Sequence, residues 1–348
     1  MAQELSIPLE TTAEVARPKR SRLRKTLSVV RHQPLGALGL FIILVFLICA
    51  VFAVPMTIGP VTLPGVAPYD PEAINVDAIQ EGPSADHPFG TDRLGRDVLS
   101  RTIFGARISF MVGLISVIIG TFIGTFFGVL SGYTGKWVDS IIQRFIDVLL
   151  AFPAVIFLLV IITVIGDEDS KFRQFLNNHT PIPQGDFLGV PVFVDIFVIS
   201  VGIGVAVSVG TARVVRGAVL SLKENMYIEA AQAMGASDNR IMRRHIFPNV
   251  AALVVVLATI FLPIAILAEA SISFLGIGVP TGTPSWGADL NENRENAIKL
   301  GIWWTVFFPG LALSLIVLAF NLVGDAFRDL SDPRLRGGGG GGASRTGF

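Results

Sequence analysis

Charged residues are scarce in this chain. They make up 16% of its 348 residues, where a soluble domain carries about 25%. The 27 basic and 27 acidic residues cancel to a formal net charge of zero, so no bulk attraction to nucleic acid is expected. Cysteine is nearly absent. The single one, Cys49, sits in an apolar run, which excludes a disulfide within the chain and argues against a cysteine metal site. The four histidines, His32, His87, His179 and His245, are scattered without HExxH spacing, so no histidine metal cluster is expected. A GxxxxGK[ST] loop is also missing. The six-glycine run at 337–342 lacks that ending and reads as a flexible tail, not a phosphate cradle. The chain therefore has no means of hydrolysing ATP by P-loop chemistry.

What is abundant is apolar. Hydrophobic residues make up 51% of the chain and the mean hydropathy is +0.64. A helix needs about 20 mostly apolar residues to cross the bilayer core. Six segments meet or approach this: 35–56, 108–130, 148–166, 196–212, 250–268 and 300–324. The last begins near Trp303 and Trp304, placed as an interfacial aromatic anchor would be. The spacing predicts six transmembrane helices in an all-α polytopic membrane protein. No signal peptide is expected, because the first apolar run starts late and is too long for one.

Lysine and arginine set the orientation. With the N-terminus in the cytoplasm, 19 of the 27 lie on the cytoplasmic side, so both termini are expected there. Residues 1–34 form a basic N-tail whose first 20 residues are too polar to pack, and the cluster from 17 to 31 suits anionic lipid. Residues 57–106 form an extracytoplasmic loop, and 326–348 a cytoplasmic tail.

Few charges enter the spans. Asp147 is expected to pair locally with Arg144, while Asp195 and Glu269 fall at outer ends. Nothing ionisable stands at the midplane, which argues against an ion-coupled carrier. Gly120, Gly124 and Gly128 recur every fourth residue. They form a smooth stripe for helix packing, or else one facing a mobile partner or a translocation path. Pro153 and Pro263 are expected to bend their spans.

Between the fourth and fifth spans lies a polar insert on the cytoplasmic side. Tyr227, Ala230, Ala231 and Met234 follow i, i+3, i+4, i+7 spacing, which predicts a short helix with one narrow apolar face. Gly235 suits a left-handed cap. Ser237 reads as the N-cap of a second short helix, with Asp238 in its first turn. Ile241, Met242, His245 and Ile246 form that helix's less polar face. Pro248 marks entry to the fifth span. Such a pair either lies on lipid headgroups with its arginines on phosphates or docks a soluble partner. The small Ala230–Ala231 surface favours docking.

The insert resembles a known family. Glu229-Ala230-Ala231, three further residues, Gly235, and Pro248 thirteen residues later are similar to the EAA loop of binding-protein-dependent ABC importer permeases. The general pattern has an aliphatic residue at His245 and leucine at Phe247. Arg244-His245 followed by Ile246 and Pro248-Asn249 resembles the oligopeptide/dipeptide/nickel branch. Three other stretches fit that branch: His87 to Asp92 with Gly95-Arg96-Asp97; Ser273 to Gly276 with Pro284 to Trp286-Gly287; and Asp325 through Asp332-Pro333-Arg334-Leu335-Arg336.

The resemblance implies the type I importer permease fold, with a transmembrane core over 107–325 and coupling helices at 225–248, in a C-type subunit. It implies a multi-pass protein of a bacterial or archaeal plasma membrane. Its partners would be a homologous second permease subunit in a heterodimer, two ABC ATPase subunits that bind ATP and Mg, and an extracytoplasmic solute-binding protein. Tyr227, Glu229, Ala230, Ala231, Met234, Gly235, Ser237, Arg244, His245 and Pro248 would form the ATPase-coupling surface. No catalytic residue and no metal or cofactor of its own are implied, and the solute would be a peptide or a related molecule.

The outer motif of Thr91, Asp92, Gly95, Arg96 and Asp97 reads either as a cation site or as a capped surface helix. Its spacing does not match an EF-hand. The surface helix is preferred, with Thr91 as N-cap and Val98, Leu99 and Phe104 as the buried side. It would help to receive the binding protein. An ion-coupled secondary transporter is the main rival for the whole chain, although it would usually show two related halves. A membrane-embedded hydrolase is a second rival, but no histidine lies within a span.

Overall fold

The computed structural model describes residues 33–53, 56–58, 61–63, 65–166, 170–171, 173–175 and 193–331. The basic run at 17–31, the glycine run at 337–342 and the motif at 332–336 lie outside the described residues. The fold is helical apart from a small hairpin, β1 (Met56–Ile58) with β2 (Val61–Leu63), antiparallel with Thr57 opposite Thr62. Among the described residues, five helices are long and apolar enough to cross a membrane, or six if one bent pair counts as a single span.

The first span is α1 (Pro34–Val51), which starts with proline in its first turn, where a missing N–H costs nothing. The second, α2 (Val98–Thr134), is 37 residues long, or about 55 Å at 1.5 Å per residue. It therefore absorbs the separate surface helix expected after the outer motif: Val98 to Phe104 form the first turns of the span itself. The apolar pattern at 108–130 underestimates the helix because its early turns carry buried arginines, Arg101 and Arg107.

The third span is broken. Helix α3 (Lys136–Ala151) and α4 (Ala154–Gly166) meet at 98° around Phe152 and Pro153, so the bend expected at Pro153 is a full break of the span. Pro263 is instead contained within a continuous helix, as is Pro309. The fourth span is α5 (Phe193–Lys223). After the insert, α8 (Phe247–Phe274) is the fifth span and α10 (Trp304–Ser331) the sixth. The connection between those two holds a further helix, α9 (Trp286–Leu300), which the apolar pattern does not reveal because the helix is polar.

The glycine stripe is the seam of the bundle. A β-carbon at Gly120 would lie 2.6 Å from Val207 Cβ, one at Gly124 2.5 Å from the Ser208 carbonyl, and one at Gly128 2.7 Å from the Ala212 carbonyl. All three neighbours are on α5, so the stripe is an intrachain packing surface between α2 and α5, and Gly132 extends it towards Val219. Without side chains in the way, the two backbones approach closely, which is the main attraction available between helices in lipid. Gly39 does the same for α1 against the Ala319 carbonyl of α10. Around this seam Ile108, Val112, Ile196, Ile199 and Ile203 are buried, while Phe41, Phe122, Ile141 and Ile264 point outward, as a lipid-facing surface requires.

Asp147 does not pair with Arg144. It pairs with Arg213 of α5, against which α3 also packs through Ile146. Asp195 pairs with Arg173 at 2.7 Å. Glu269 is fully buried and accepts hydrogen bonds from Ser109 (3.0 Å), Ser273 (2.9 Å) and Ser285 (2.8 Å).

Candidate functional site

The insert forms two short helices, α6 (Met226–Ala233) and α7 (Asp238–Ile241). The second continues through a π-helical turn at 242–246 into α8. Gly235 takes φ +79°. Its N–H donates to the Gln232 carbonyl (2.9 Å) and that of Ala236 to the Ala231 carbonyl (3.0 Å), the paired bonds of a Schellman stop. A side chain at that φ would be strained, so glycine is what permits the sharp corner. Ser237 stands at the N-cap of α7, yet its side chain makes no capping bond.

The face of α6 differs from the one expected by spacing. Ile228 and Ala231 are its buried residues, packed with Ile241, Ile246, Val215 and Val219. Ala231 is therefore turned into the chain's own core and not outward. Tyr227, Glu229, Ala230 and Met234 are exposed, and Met234 is 83% so. The helix splits its apolar residues between two faces: one anchors it, the other is presented. Glu229 has no side-chain partner among the described residues. Arg244 and Pro248 are exposed, and His245 is half-buried with its ring 6.3 Å from that of Tyr227. This unusual histidine thus packs within the insert, bridging its two helices.

At the opposite end of α2, the outer motif is a buried network of charges. Thr91 does not cap the helix. Its hydroxyl donates to the Ala78 carbonyl and accepts from Glu81 N–H, while Asp97 is the cap, accepting from Ser100 N–H at 2.7 Å. The other Asp97 oxygen meets His87 Nδ1 at 2.9 Å. Asp92 accepts from the backbone of Leu94 (2.8 Å) and Arg96 (2.9 Å) and from Arg96 Nε (2.6 Å). The Arg96 guanidinium also donates to Glu292 Oε2 at 2.6 Å, and Glu292 Oε1 accepts from Gly282 N–H at 3.1 Å. Gly95 takes φ +76°, and a β-carbon there would lie 1.8 Å from the Asn75 carbonyl. The carboxylates of Asp92 and Asp97 are thus occupied by arginine, histidine and backbone donors and serve as struts at this end of the bundle.

Spacing gives no hint of the strongest strut. Arg101 pairs with Asp289, 188 residues away, and also donates to the carbonyls of Pro71 (3.1 Å) and Gly282 (3.2 Å). Burial pushes the Asp289 carboxyl up to about 6 against the charge and hydrogen bonds of Arg101. Burial acts most strongly to raise Glu292, but the hydrogen bond and charge of Arg96, the Gly282 N–H and the charge of Arg101 together outweigh it and hold the carboxyl below the usual range. For Arg96, burial opposes the charged form, and Glu292 and Asp92 overcome it, so its pKa is raised. Trp286, fully buried, donates to the Thr102 carbonyl at 2.9 Å, and Trp304 to that of Thr91 at 3.0 Å. These bonds tie the loop before α2 and the α8–α9 connection into one cap on the bundle.

Comparison with known proteins fits this arrangement. Residues 120–337 match the family described as binding-protein-dependent transport system inner membrane component. The dipeptide transport system permease protein DppC of Bacillus subtilis (strain 168) is 36% identical over 322 residues, covering 92% of this chain and 89% of that protein. Its counterpart in Alkalihalophilus pseudofirmus is 34% identical over 313 residues, 90% of each chain. The glutathione transport system permease protein GsiD of Escherichia coli O157:H7 is 37% identical over 289 residues, 83% of this chain and 86% of that one. The chain belongs to the family of binding-protein-dependent inner-membrane transport components: it is a multi-pass permease subunit of an ABC importer, a transport component and not an enzyme, in a family that works with separate ATPase, solute-binding and second permease subunits.

Proposed function

We propose that this subunit carries short peptides across the membrane and couples to its ATPase through the α6–α7 insert on the cytoplasmic side. Both chain termini lie on that side, as the distribution of lysine and arginine favours. Two ATPase subunits bind ATP and Mg, and a homologous permease subunit completes a heterodimer. The cap formed by residues 65–97 and α9 faces outward, where a binding protein delivers the solute.

One observation carries the docking reading. The insert is anchored by Ile228, Ala231, Ile241 and Ile246 while Tyr227, Glu229, Ala230 and Met234 are left presented around a Schellman corner. A helix meant only to rest on lipid would present Leu, Phe or Trp; this one presents the small Ala230 among Met226, Tyr227 and Met234. The groove-filling residues of this reading are Tyr227, Ala230 and Met234, with Arg244, His245 and Pro248 behind them. Peptide transport is supported by the names of the relatives, which transport dipeptides and glutathione.

Gly235→Val should abolish uptake while the protein still inserts, because a β-branched residue is strained at φ +79°. Unchanged uptake would remove the docking role. Glu229→Lys should weaken co-purification of the ATPase. Vanadate-sensitive, ATP-driven uptake of dipeptide by the reconstituted complex separates this reading from an ion-coupled carrier, which would run on a gradient alone.

A further inference from the structure

We propose that Tyr133 is the positioning residue through which the insert moves α3, a role resting on the docking reading above. Tyr133 is the penultimate residue of α2 and 4% exposed, in the same buried cluster as Ile228, Ala231, Ile241 and Ile246. Its hydroxyl donates to Asp238 Oδ1 at 2.7 Å. Asp238 opens α7, directly behind the Gly235 corner. The Tyr133 carbonyl accepts from Lys223 Nζ at 2.8 Å, and the same ammonium lies 5.4 Å from the tyrosine ring. Lys223 closes α5 just before the insert begins. One residue is thus held from both sides of the insert.

The connection continues into α3. Two residues before Tyr133, Ser131 donates to Asp139 on α3 and accepts from Gln143 at 3.1 Å. Asp139 is also clasped by Arg216 of α5, with both N···O distances 2.6 Å. The link between α2 and α3 passes through Lys136 at φ +50°, a value uncommon for a residue with a side chain and one that over-determined surroundings must hold. Beyond it, α3 lies against α5 through Ile146 with Val209 and Ala212, shows Trp137, Ile141 and Phe145 outward, and ends at the 98° break before α4. This helix, seated on α5 by Ile146, Ile142 and Leu149 and by the Asp147–Arg213 pair, with a break at one end and a polar clasp at the other, is the element that the insert would shift. Displacement of α7 reaches it by rigid contact through Asp238 and Tyr133, the kind of discrete element that a claim of coupling requires.

The test uses the permease assembled with its ATPase and second permease subunit in proteoliposomes. A nitroxide on Trp137→Cys, in a Cys49→Ser background, reports the surroundings of α3. The native pair should show an ATP-dependent change in nitroxide mobility. Tyr133→Phe and Asp238→Ala, which removes the acceptor, should each cut that change about tenfold, within the usual range of couplings between sites, with the ATPase still co-purifying in full yield. The double variant should be no worse than either single one, since both remove the same bond. Asp238 is exposed, so its variant carries the test if the buried Tyr133→Phe change lowers expression. An undiminished change in both single variants would overturn the proposal, as would additive losses in the double. A native complex that holds its ATPase but gives no response to ATP also overturns it. Failure of the native chain to hold the ATPase overturns the docking reading itself, and this proposal with it.

Discussion

Replacing Arg101 by methionine tests whether the outer cap is held by its buried ion pair. The substitution leaves two kinds of damage. The carbonyls of Pro71 and Gly282 each lose a donor, at about 1 kcal/mol apiece, independent of pH. Asp289, 2% exposed, also loses its only counter-charge in direct contact, and its pKa must then rise above the present value of about 6. A carboxyl whose folded pKa is raised binds its proton more tightly when folded, so it favours the folded cap at low pH and loses that contribution as pH rises through the folded value. In the native chain this loss is complete a little above pH 6. In Arg101→Met it continues to higher pH, at up to about 1.4 kcal/mol per unit.

The variant should therefore be destabilised by about 2 kcal/mol near pH 5.5 and by about 4–5 kcal/mol near pH 8, in line with the cost of breaking a buried pair. Hydrogen exchange of the α9 amides in the detergent-solubilised protein reads this as local opening. Exchange free energies should fall by roughly 30-fold equivalents at the lower pH and more than 10³-fold at the higher, at about 1.4 kcal/mol per tenfold. Adding Asp289→Asn should remove the pH dependence and leave only the constant part. Equal destabilisation at pH 5.5 and pH 8, or protection as in the native chain, would refute the reasoning.

Other perturbations have equally definite outcomes. Gly124→Leu places a side chain where a β-carbon already lies 2.5 Å from the Ser208 carbonyl, so α2 and α5 must separate. A loss of about 3 kcal/mol or failure to assemble is expected, read from the yield of monodisperse protein. Ser237→Ala should change stability by less than about 0.5 kcal/mol, below the usual cost of losing an N-cap, because this serine makes no capping bond; thermal unfolding in detergent checks it. Glu292, held low by Arg96, contributes stability above the ordinary carboxylate range and loses it as pH falls through its lowered value. Glu292→Gln should abolish that acid-side loss in α9 exchange while sparing the insert.

The insert was largely legible because its signals are local. Gly235 and the i, i+3, i+4 spacing report a helix and its stop within a few residues, and both are present. Spacing alone cannot tell which of two adjacent faces is buried when the helix is short. Ile228 and Ala231 turn inward because Ile241, Ile246 and Val219 wait there, and those come from other turns of the chain. The glycine stripe was equally visible as a pattern, but its mate, α5, was not. The outer motif was visible as a cluster of charges and misread as the start of a separate helix. Its partner Glu292 lies 196 residues from Arg96, and a polar helix such as α9 has no apolar period to reveal it.

Sequence by itself determined that the chain lives in lipid, which apolar segments form its spans, and that its polar insert is a helix, corner and helix, because hydropathy and glycine act over a turn or two of backbone. Tertiary structure alone decided how sharp the break at Pro153 is, 98°, the pairing of Asp147 with Arg213, the outward set of Tyr227, Ala230 and Met234, and the grip on Tyr133 by Asp238 and Lys223. Each of these depends on which helix lies beside which, and in a bilayer that is settled by close packing and by the need to partner every buried charge.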